Sequence, residues 1–440
     1  MAKKQLTIEE KLQAALVPVE EQPYKVPENW CWVKLGTVIT ASKEKQDAFD
    51  SETKYVGLEH IEKDTGNISF ALADEVKSTK SVFKCGDILY GKLRPYLNKH
   101  GIVDFNGVCS TDILVFNAIK GDNRLYDFYF SLPHFIEYAV SNSKGINLPR
   151  VSEKVILEIP FPMPPQGEQS RIVARIESLF AKLDEAKEKI QEVLDGADLR
   201  RAAILHQAFT GNLTEKWRKS HTVTCAKDLQ TKALVAREGQ PESWIRCKIG
   251  DYLELKAGKF ISAAEINAEI SDVTPYECFG GNGIRGYVKN YNTEGTHPLI
   301  GRQGALCGNV QVGEGKFYAT EHAVVVTYKY DTDTMWIVEL LRHMNLNQYS
   351  RSVAQPGLAV KNIVELPIVI APYEEQVEIG RILDNLLSRE QSTVNACEEA
   401  LTTIDNLKKS ILTRAFRGEL GTNDPAAPSA KELLREILSA

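Results

Sequence analysis

Several features are scarce in this chain, and each scarcity closes a route. Its 440 residues hold eight cysteines (Cys31, Cys85, Cys109, Cys225, Cys247, Cys278, Cys307, Cys397), and no two form a Cys-x-x-Cys pair. No close Cys/His cluster has the spacing of a zinc site, so reduced thiols in a cytoplasmic protein are expected and a metal-stapled scaffold is not. No run of about 18 apolar residues occurs, which argues against a membrane-spanning helix. The polar opening MAKKQLTIEEKLQAAL has no signal-peptide core. An excess of positive charge is missing too: 53 Lys and Arg against 59 Asp and Glu leave a net charge of −6. Any nucleic-acid binding must therefore rest on local patches rather than on a global field.

Catalytic signatures are equally sparse. There is no phosphate-cradling P-loop, and MPPQ (163–166) has the prolines of an amino-methyltransferase motif without its carboxamide or aromatic residue. GGNGIRG (280–286) contains Gly-x-Gly-x-x-Gly, but the following YVKNYN has a strand pattern where a dinucleotide fold needs a helix. A glycine loop that lets backbone approach a ligand is the better reading. DYLELK (251–256) carries the Asp…Glu-x-Lys pattern of some nucleases, a triplet common by chance, and the eight histidines are dispersed. No catalytic residue and no metal ligand is assigned.

What the chain does have is an internal echo. HQAFTGNL (206–213) returns as TRAFRGEL (413–420), and LEIPFPMPPQGEQSRI (157–172) lies over VELPIVIAPYEEQVEI (364–379) with no gap between. PENWCWVKLG (27–36) matches PESWIRCKIG (241–250), and AKDLQTKALV (226–235) matches AKELLREILS (430–439). A period of about half the chain means a duplication rather than a solenoid. The composition, 43% hydrophobic and 25% charged, is that of a folded protein.

Each copy reads as a variable mixed block, a Pro-rich hinge and a long helix. Ile172, Ile176, Leu179, Leu183, Ala186, Ile190, Val193 and Ala197 advance by alternate steps of four and three, a coiled-coil seam. The second copy offers Ile379, Leu383, Leu386, Glu390, Thr393, Cys397, Ala400, Ile404, Leu407 and Ile411. Prolines mark the start of each helix and Gly211 or Gly418 its end, giving about 40 residues, or ~60 Å at ~1.5 Å per residue. A single apolar seam is not stable alone, and the natural partner is the other copy, packed antiparallel. The predicted fold class is α+β: two mixed α/β domains joined by two long antiparallel coiled-coil helices in a pseudo-twofold repeat. The predicted segments are an arm (1–27), a first domain (28–157), a first helical spacer (158–220), a linker (221–241), a second domain (242–364), and a second spacer with tail (365–440).

Within the variable blocks, LYGKLRPYLNKHG carries Lys92, Arg94, Tyr96, Asn98 and Lys99. The matching place in the second copy carries Arg302, Gln303 and Asn309, with Asn282 and Arg285 nearby. Arg and Lys suit guanine edges and phosphates, while Asn and Gln suit adenine, so two equivalent loops of this kind are candidate DNA readers. SKGINLPRVS (143–152), with Lys144 and Arg150, and RSVAQPGLAVKN (351–362), with Lys361, are further candidates.

Taken together, the paired Pro-Glu-x-Trp openings, the IPFPMPPQGEQSRIVARIE and LPIVIAPYEEQVEIGRIL segments and the AFTGNL and AFRGEL closures resemble the specificity subunits of Type I restriction-modification enzymes along nearly the whole chain. The resemblance implies two target recognition domains, each reading half of a bipartite, asymmetric double-stranded DNA site, and a helical ruler between them. It implies two methyltransferase subunits that carry S-adenosylmethionine, and a restriction subunit that carries ATP- and Mg2+-dependent translocation. This chain would be a non-catalytic member of the complex. A nuclease built on DYLELK and a coiled-coil scaffold without a DNA role are the alternatives.

Overall fold

Each Pro-Glu-x-Trp opening runs into a four-residue strand whose partner is the Pro-rich segment just before the long helix. In the computed structural model, which describes residues 7–63, 66–73, 78–304, 306–350 and 357–439, runs of strands are followed by runs of helices, an α+β pattern. Cys31–Lys34 pairs antiparallel with Pro160–Met163, and Ile245–Lys248 pairs likewise with Pro367–Ile370. Pro160 and Pro367 stand first in their strands, a position where proline is tolerated. The chain divides into two compact units, Met1–Ile190 with Glu399–Ala440, and Gln191–Glu398.

In the first unit a four-stranded sheet has the order Ile39–Ala41, Ile113–Ala118, Ile88–Gly91, His100–Ile102. Ile88 and Tyr90 pack with Phe130 and Phe135 of two helices, while Leu89 faces Val56, Phe83 and Cys109 of a five-stranded sheet. Burial on both faces is why this strand is a continuous apolar run rather than an alternating one. The second unit repeats the sheet order with Leu253–Ala257, Ala323–Tyr328, His297–Gly301 and Val310–Gly313. Ile300 joins the core with Trp336 of the helix Thr334–His343, and Leu299 turns to Phe279 and Phe317 of the neighbouring sheet. GGNGIRG spans the turn and part of the second strand of a hairpin, Tyr276–Gly280 and Gly283–Val288: the strand expected at YVKNYN begins earlier, within the motif, and only Tyr287 and Val288 of that segment belong to it. No helix among the described residues is long and apolar enough to cross a membrane.

The second long helix is continuous over Tyr373–Ala415, 43 residues. The first is Gln166–Asp195 followed by Ala197–Phe209, interrupted at Gly196. The expectation of one unbroken helix there is corrected by a single glycine, the least favourable residue after proline in a helix interior. Bonds from Gly196 to Glu192 (3.2 Å) and from Arg200 to Gly196 (3.0 Å) carry the ladder across.

Within the first unit the two helical stretches run in opposite directions: Lys408 Nζ meets Asp184 at 2.5 Å and Lys187 Nζ meets Asp405 at 3.7 Å. Within the second, Arg200 pairs with Glu390 at 2.8 Å, while Leu205 and Ala208 share a core with Ile379 and Leu383. Ile172, Ile176, Ile379, Leu383 and Ile404 are buried; Leu179, Leu183, Ile190, Leu386 and Ile411 are half-buried. Val193, Thr393 and Leu407 face solvent, and Leu194, Val394 and Lys408 are more covered instead. A straight helix drifts ~20° per heptad from a strict 3.5 repeat, which moves the inward position on by one residue. Of the polar seam positions, Glu390 pairs with Arg200 and Thr393 faces solvent.

The repeated Ala-Phe-x-Gly-x-Leu now has a structural explanation. Ala208 and Ala415 are fully buried. Gly211 (φ +80) and Gly418 (φ +74) end the helices in the left-handed region. A Cβ at Gly211 would stand 2.6 Å from Pro241 Cγ, and one at Gly418 would collide with Pro27. Each closure thus packs against a Pro-Glu-x-Trp opening in its own unit. The following residues seal a buried carboxylate. Glu168 accepts from Trp30 Nε1 (2.8 Å), Asn423 Nδ2 (2.9 Å) and Thr422 Oγ1 (3.3 Å). Glu375 accepts from Trp244 Nε1 (2.8 Å), Thr214 Oγ1 (2.6 Å) and Arg218 Nη1. In the second unit one continuous segment makes this seal. In the first, the C-terminal tail makes it, and Lys11 of the N-terminal helix donates to Leu438 of the tail at 3.2 Å.

Candidate nucleic-acid interface

The two units carry the same backbone frame at the end of the central strand. In the first, Gly91 N–H donates to Lys99 (2.8 Å), Lys92 N–H to Asp112 (2.8 Å), and Val151 N–H to Lys92 (3.0 Å). In the second, Gly301 N–H donates to Asn309 (2.9 Å), Arg302 N–H to His322 (3.0 Å), and Leu358 N–H to Arg302 (2.9 Å). Lys92 therefore occupies the place of Arg302, and Lys99 that of Asn309, within an otherwise divergent surround. Isolated bridges Leu93–Arg150 and Gln303–Gly357 extend the match by one residue.

The frame sorts the candidate residues. In the first unit Arg94, Tyr96, Lys144 and Arg150 are exposed, and Lys92 and Lys99 are half-buried. Arg94 (φ 52) and Asn98 (φ 41) hold left-handed conformations around a short helical turn, Pro95–Leu97. Asn98 is only 3% exposed, and its Oδ1 has no hydrogen-bond partner among the described residues. Its carboxamide faces the interior, and its backbone closes the turn with a 3.0 Å bond from Asn98 N–H to the Pro95 carbonyl, in the left-handed conformation that asparagine tolerates. Lys99 Nζ donates to the Leu58 carbonyl at 2.6 Å. Arg150 pairs with Asp112 at 3.1 Å, an exposed pair of the kind worth ~1 kcal/mol or less.

In the second unit Asn282, Arg285, Gln303 and Lys361 are exposed, and Arg302 and Asn309 half-buried. Asn309 Nδ2 donates to Asn282 Oδ1 at 3.2 Å, joining the hairpin tip to the loop after the central strand. Arg302 Nη1 reaches the Glu321 carbonyl at 3.5 Å, and His322 Nε2 lies 3.2 Å from Glu321 Oε1. Arg302 Nε, Glu321 Oε2 and His322 Nδ1 are buried without partners among the described residues, a polar cluster that the sequence reading missed. Its only signal was the frame, which lays Thr320–Ala323 over Ser110–Ile113. Residues 351–356 of the candidate segment 351–362 lie outside the described residues.

Other motifs are accounted for locally. Asp251 of DYLELK accepts from Lys248 N–H at 3.2 Å, a capping role at the start of a helical turn. Among the described residues no group of three or more His, Cys, Asp or Glu is placed to hold a metal ion. The buried thiols of Cys31, Cys109, Cys225 and Cys247 are each pushed up to about 12 by burial.

The two units share one sheet order and one backbone frame, while their polar loops differ. The model of the Type I restriction modification DNA specificity domain matches residues 27–195 and 241–400. The chain belongs to this family. Over 139 residues it is 50% identical to the Type I restriction enzyme EcoprrI specificity subunit of Escherichia coli, covering 32% of this chain and 35% of that one. Over 216 residues it is 34% identical to the EcoDI specificity subunit of Escherichia coli, covering 48% of each. The matches thus span about a third and about half of those relatives' lengths. A solved structure, titled as the basis of complex assembly and conformational transition of the type I R-M system, shares the fold at 20% identity with a TM-score of 0.72, covering 90% of this chain and all of that one.

Proposed function

We propose that this chain is the DNA sequence-specificity subunit of a cytoplasmic Type I restriction-modification complex. The observation that carries the reading is the shared frame around Lys92 and Arg302, which presents different side chains from the same backbone position in each unit. Different loops on one frame suit two different half-sites, so the site read is asymmetric. The segments 28–157 and 242–364 act as the two recognition domains. The helical segments 158–220 and 365–440 form a pseudo-twofold, antiparallel coiled-coil ruler that sets the unspecified spacer. The ion pairs Asp184–Lys408 and Arg200–Glu390 support the opposed directions that such a ruler needs.

Lys92, Arg94, Tyr96, Lys99, Lys144 and Arg150 face one half-site; Asn282, Arg285, Arg302, Gln303, Asn309 and Lys361 face the other. Asn98 acts through the turn that displays Tyr96. Adenine methylation with S-adenosylmethionine, and ATP- and Mg2+-dependent cleavage, belong to two methyltransferase subunits and a restriction subunit. Flipping the adenine out of the duplex is their task. At a net charge of −6 this chain alone binds weakly and with strong salt dependence, and the assembled complex supplies much of the phosphate neutralisation.

The test is methylome sequencing of cells carrying the chain and its methyltransferase partner, with and without exchange of residues 242–364 for those of another family member. One half-site changes and the other persists. A change in both, or in neither, refutes the assignment.

A further inference from the structure

The segment Lys144–Arg150 is a narrow hairpin. Lys144 N–H donates to Arg150 (2.9 Å) and Arg150 N–H to Lys144 (2.8 Å). Its base is fastened to the recognition frame: Arg94 N–H donates to Pro149 (2.7 Å), and Val151 N–H donates to Lys92 (3.0 Å). Gly145 (φ +104) makes the turn, and a Cβ there would come within 3.0 Å of the Leu148 carbonyl. The stem is therefore fixed to the frame, and the tip projects from it. At that tip Ile146 is 99% exposed and Leu148 is 52% exposed.

A lone exposed aliphatic residue is ordinary on a protein surface. Ile146 differs in its setting. The stem that lifts it carries Lys144 and Arg150, and the turn that anchors it carries Arg94, three exposed cations. Lys144 and Arg94 make no ion pair among the described residues, and the Arg150–Asp112 pair is exposed enough to be exchanged for a phosphate at little cost. An apolar tip whose stem and anchoring turn carry cations is complementary to a duplex, whose phosphates flank a stack of apolar base faces. It is not complementary to an apolar protein groove, which would leave those charges buried without partners.

We propose that Ile146 is an apolar wedge that enters the DNA at one base step of the half-site read by the first unit. Lys144, Arg94 and Arg150 hold the flanking phosphates, and Leu148 follows Ile146 against the exposed base face. Side chains used in this way unstack a step and kink the duplex. The inserted residue then contributes at a position where no hydrogen bond reads a base, through the deformability of that step; pyrimidine–purine steps open most easily. This inference rests on the proposed DNA-reading function and adds a specificity determinant to it.

The test uses the complex of this chain with its methyltransferase partner, on a duplex carrying the site found by methylome sequencing. 2-Aminopurine is placed at successive positions of the half-site that survives exchange of residues 242–364. With the native complex, fluorescence rises at one position besides the methylated adenine. With Ile146→Ala that rise is lost while the signal at the flipped adenine persists. Affinity falls about tenfold, the order expected when an aliphatic side chain loses its burial, and Ile146→Leu restores both. No second bright position with the native complex, or an unchanged one with Ile146→Ala, overturns the wedge and leaves the DNA-reading function standing. A native complex that does not bind the duplex overturns both.

Discussion

Trp244 Nε1 donates a 2.8 Å hydrogen bond to Glu375 Oε2, and the carboxylate it meets is wholly buried. Trp30 makes the same bond to Glu168 in the other unit, also at 2.8 Å. The remaining donors differ. Glu375 is neutralised by Arg218, whose side chain is only 18% exposed, whereas Glu168 is surrounded by the neutral groups of Thr422 and Asn423.

That difference has a stability consequence. Arg218→Ala removes the ion-pair partner of the buried Glu375, which costs about 3 kcal/mol. Asn423→Ala removes one of three donors to Glu168 and costs about 1 kcal/mol. Urea unfolding of the two variants checks the ranking. An Arg218→Ala protein as stable as the wild type would mean that the ion pair is not formed.

Lys92 and Arg302 share a backbone position, so they make parallel predictions. If each neutralises a phosphate, Lys92→Ala and Arg302→Ala each reduce the slope of log K against log salt by about 1. Arg302→Ala also relaxes base preference at one half-site if its guanidinium spans a guanine edge, a contact worth ~1–3 kcal/mol of discrimination. Binding titrations of the assembled complex at several salt concentrations separate the two roles. Unchanged slopes for both variants would remove these residues from the interface.

His134 supplies a pH dependence. Burial, and secondarily repulsion by Arg417, push its imidazolium down to about 4. The folded protein therefore keeps the ring neutral between about pH 6.5 and 4, where the unfolded chain binds a proton. Stability is fully present above about pH 6.5 and declines as pH falls, by roughly 1 kcal/mol per pH unit in that window. Tyr129 hydroxyl lies 2.8 Å from His134 Nε2, so His134→Gln keeps a polar partner. The variant should show a flatter stability profile from about pH 7 to 5, measured by thermal unfolding. A slope equal to that of the wild type would assign the acid sensitivity elsewhere.

Legibility of the site varied with how local its cause was. The recurrence of a polar loop after the central strand was visible as an alignment, whereas the pairing of Lys92 with Arg302 came from the backbone hydrogen bonds. The burial of Asn98 was not visible, since a left-handed turn folds its side chain inward and nothing in RPYLNK marks that direction. Ile146 lay within a segment already singled out, yet its cations drew attention first. An apolar residue in a short polar stretch has no periodicity to report its exposure. The Arg302–Glu321–His322 cluster went unnoticed because its members come from two different strand ends.

By itself the sequence determined the duplication, the α+β blocks, the long helices and the absence of recognisable catalytic signatures. Those follow from spacing and composition, which act through neighbours a few residues apart. Only the tertiary structure decided which segment seals which opening. Thr422 and Asn423 seal Glu168, more than 250 positions earlier in the chain. The segment around Thr214 and Arg218 seals Glu375 instead. Both sealing segments follow nearly identical helix closures, so local pattern cannot choose between them. The choice lies in the opposed course of the helices, which carries each closure to the opening it packs against, and in the donors that meet a carboxylate withdrawn from water.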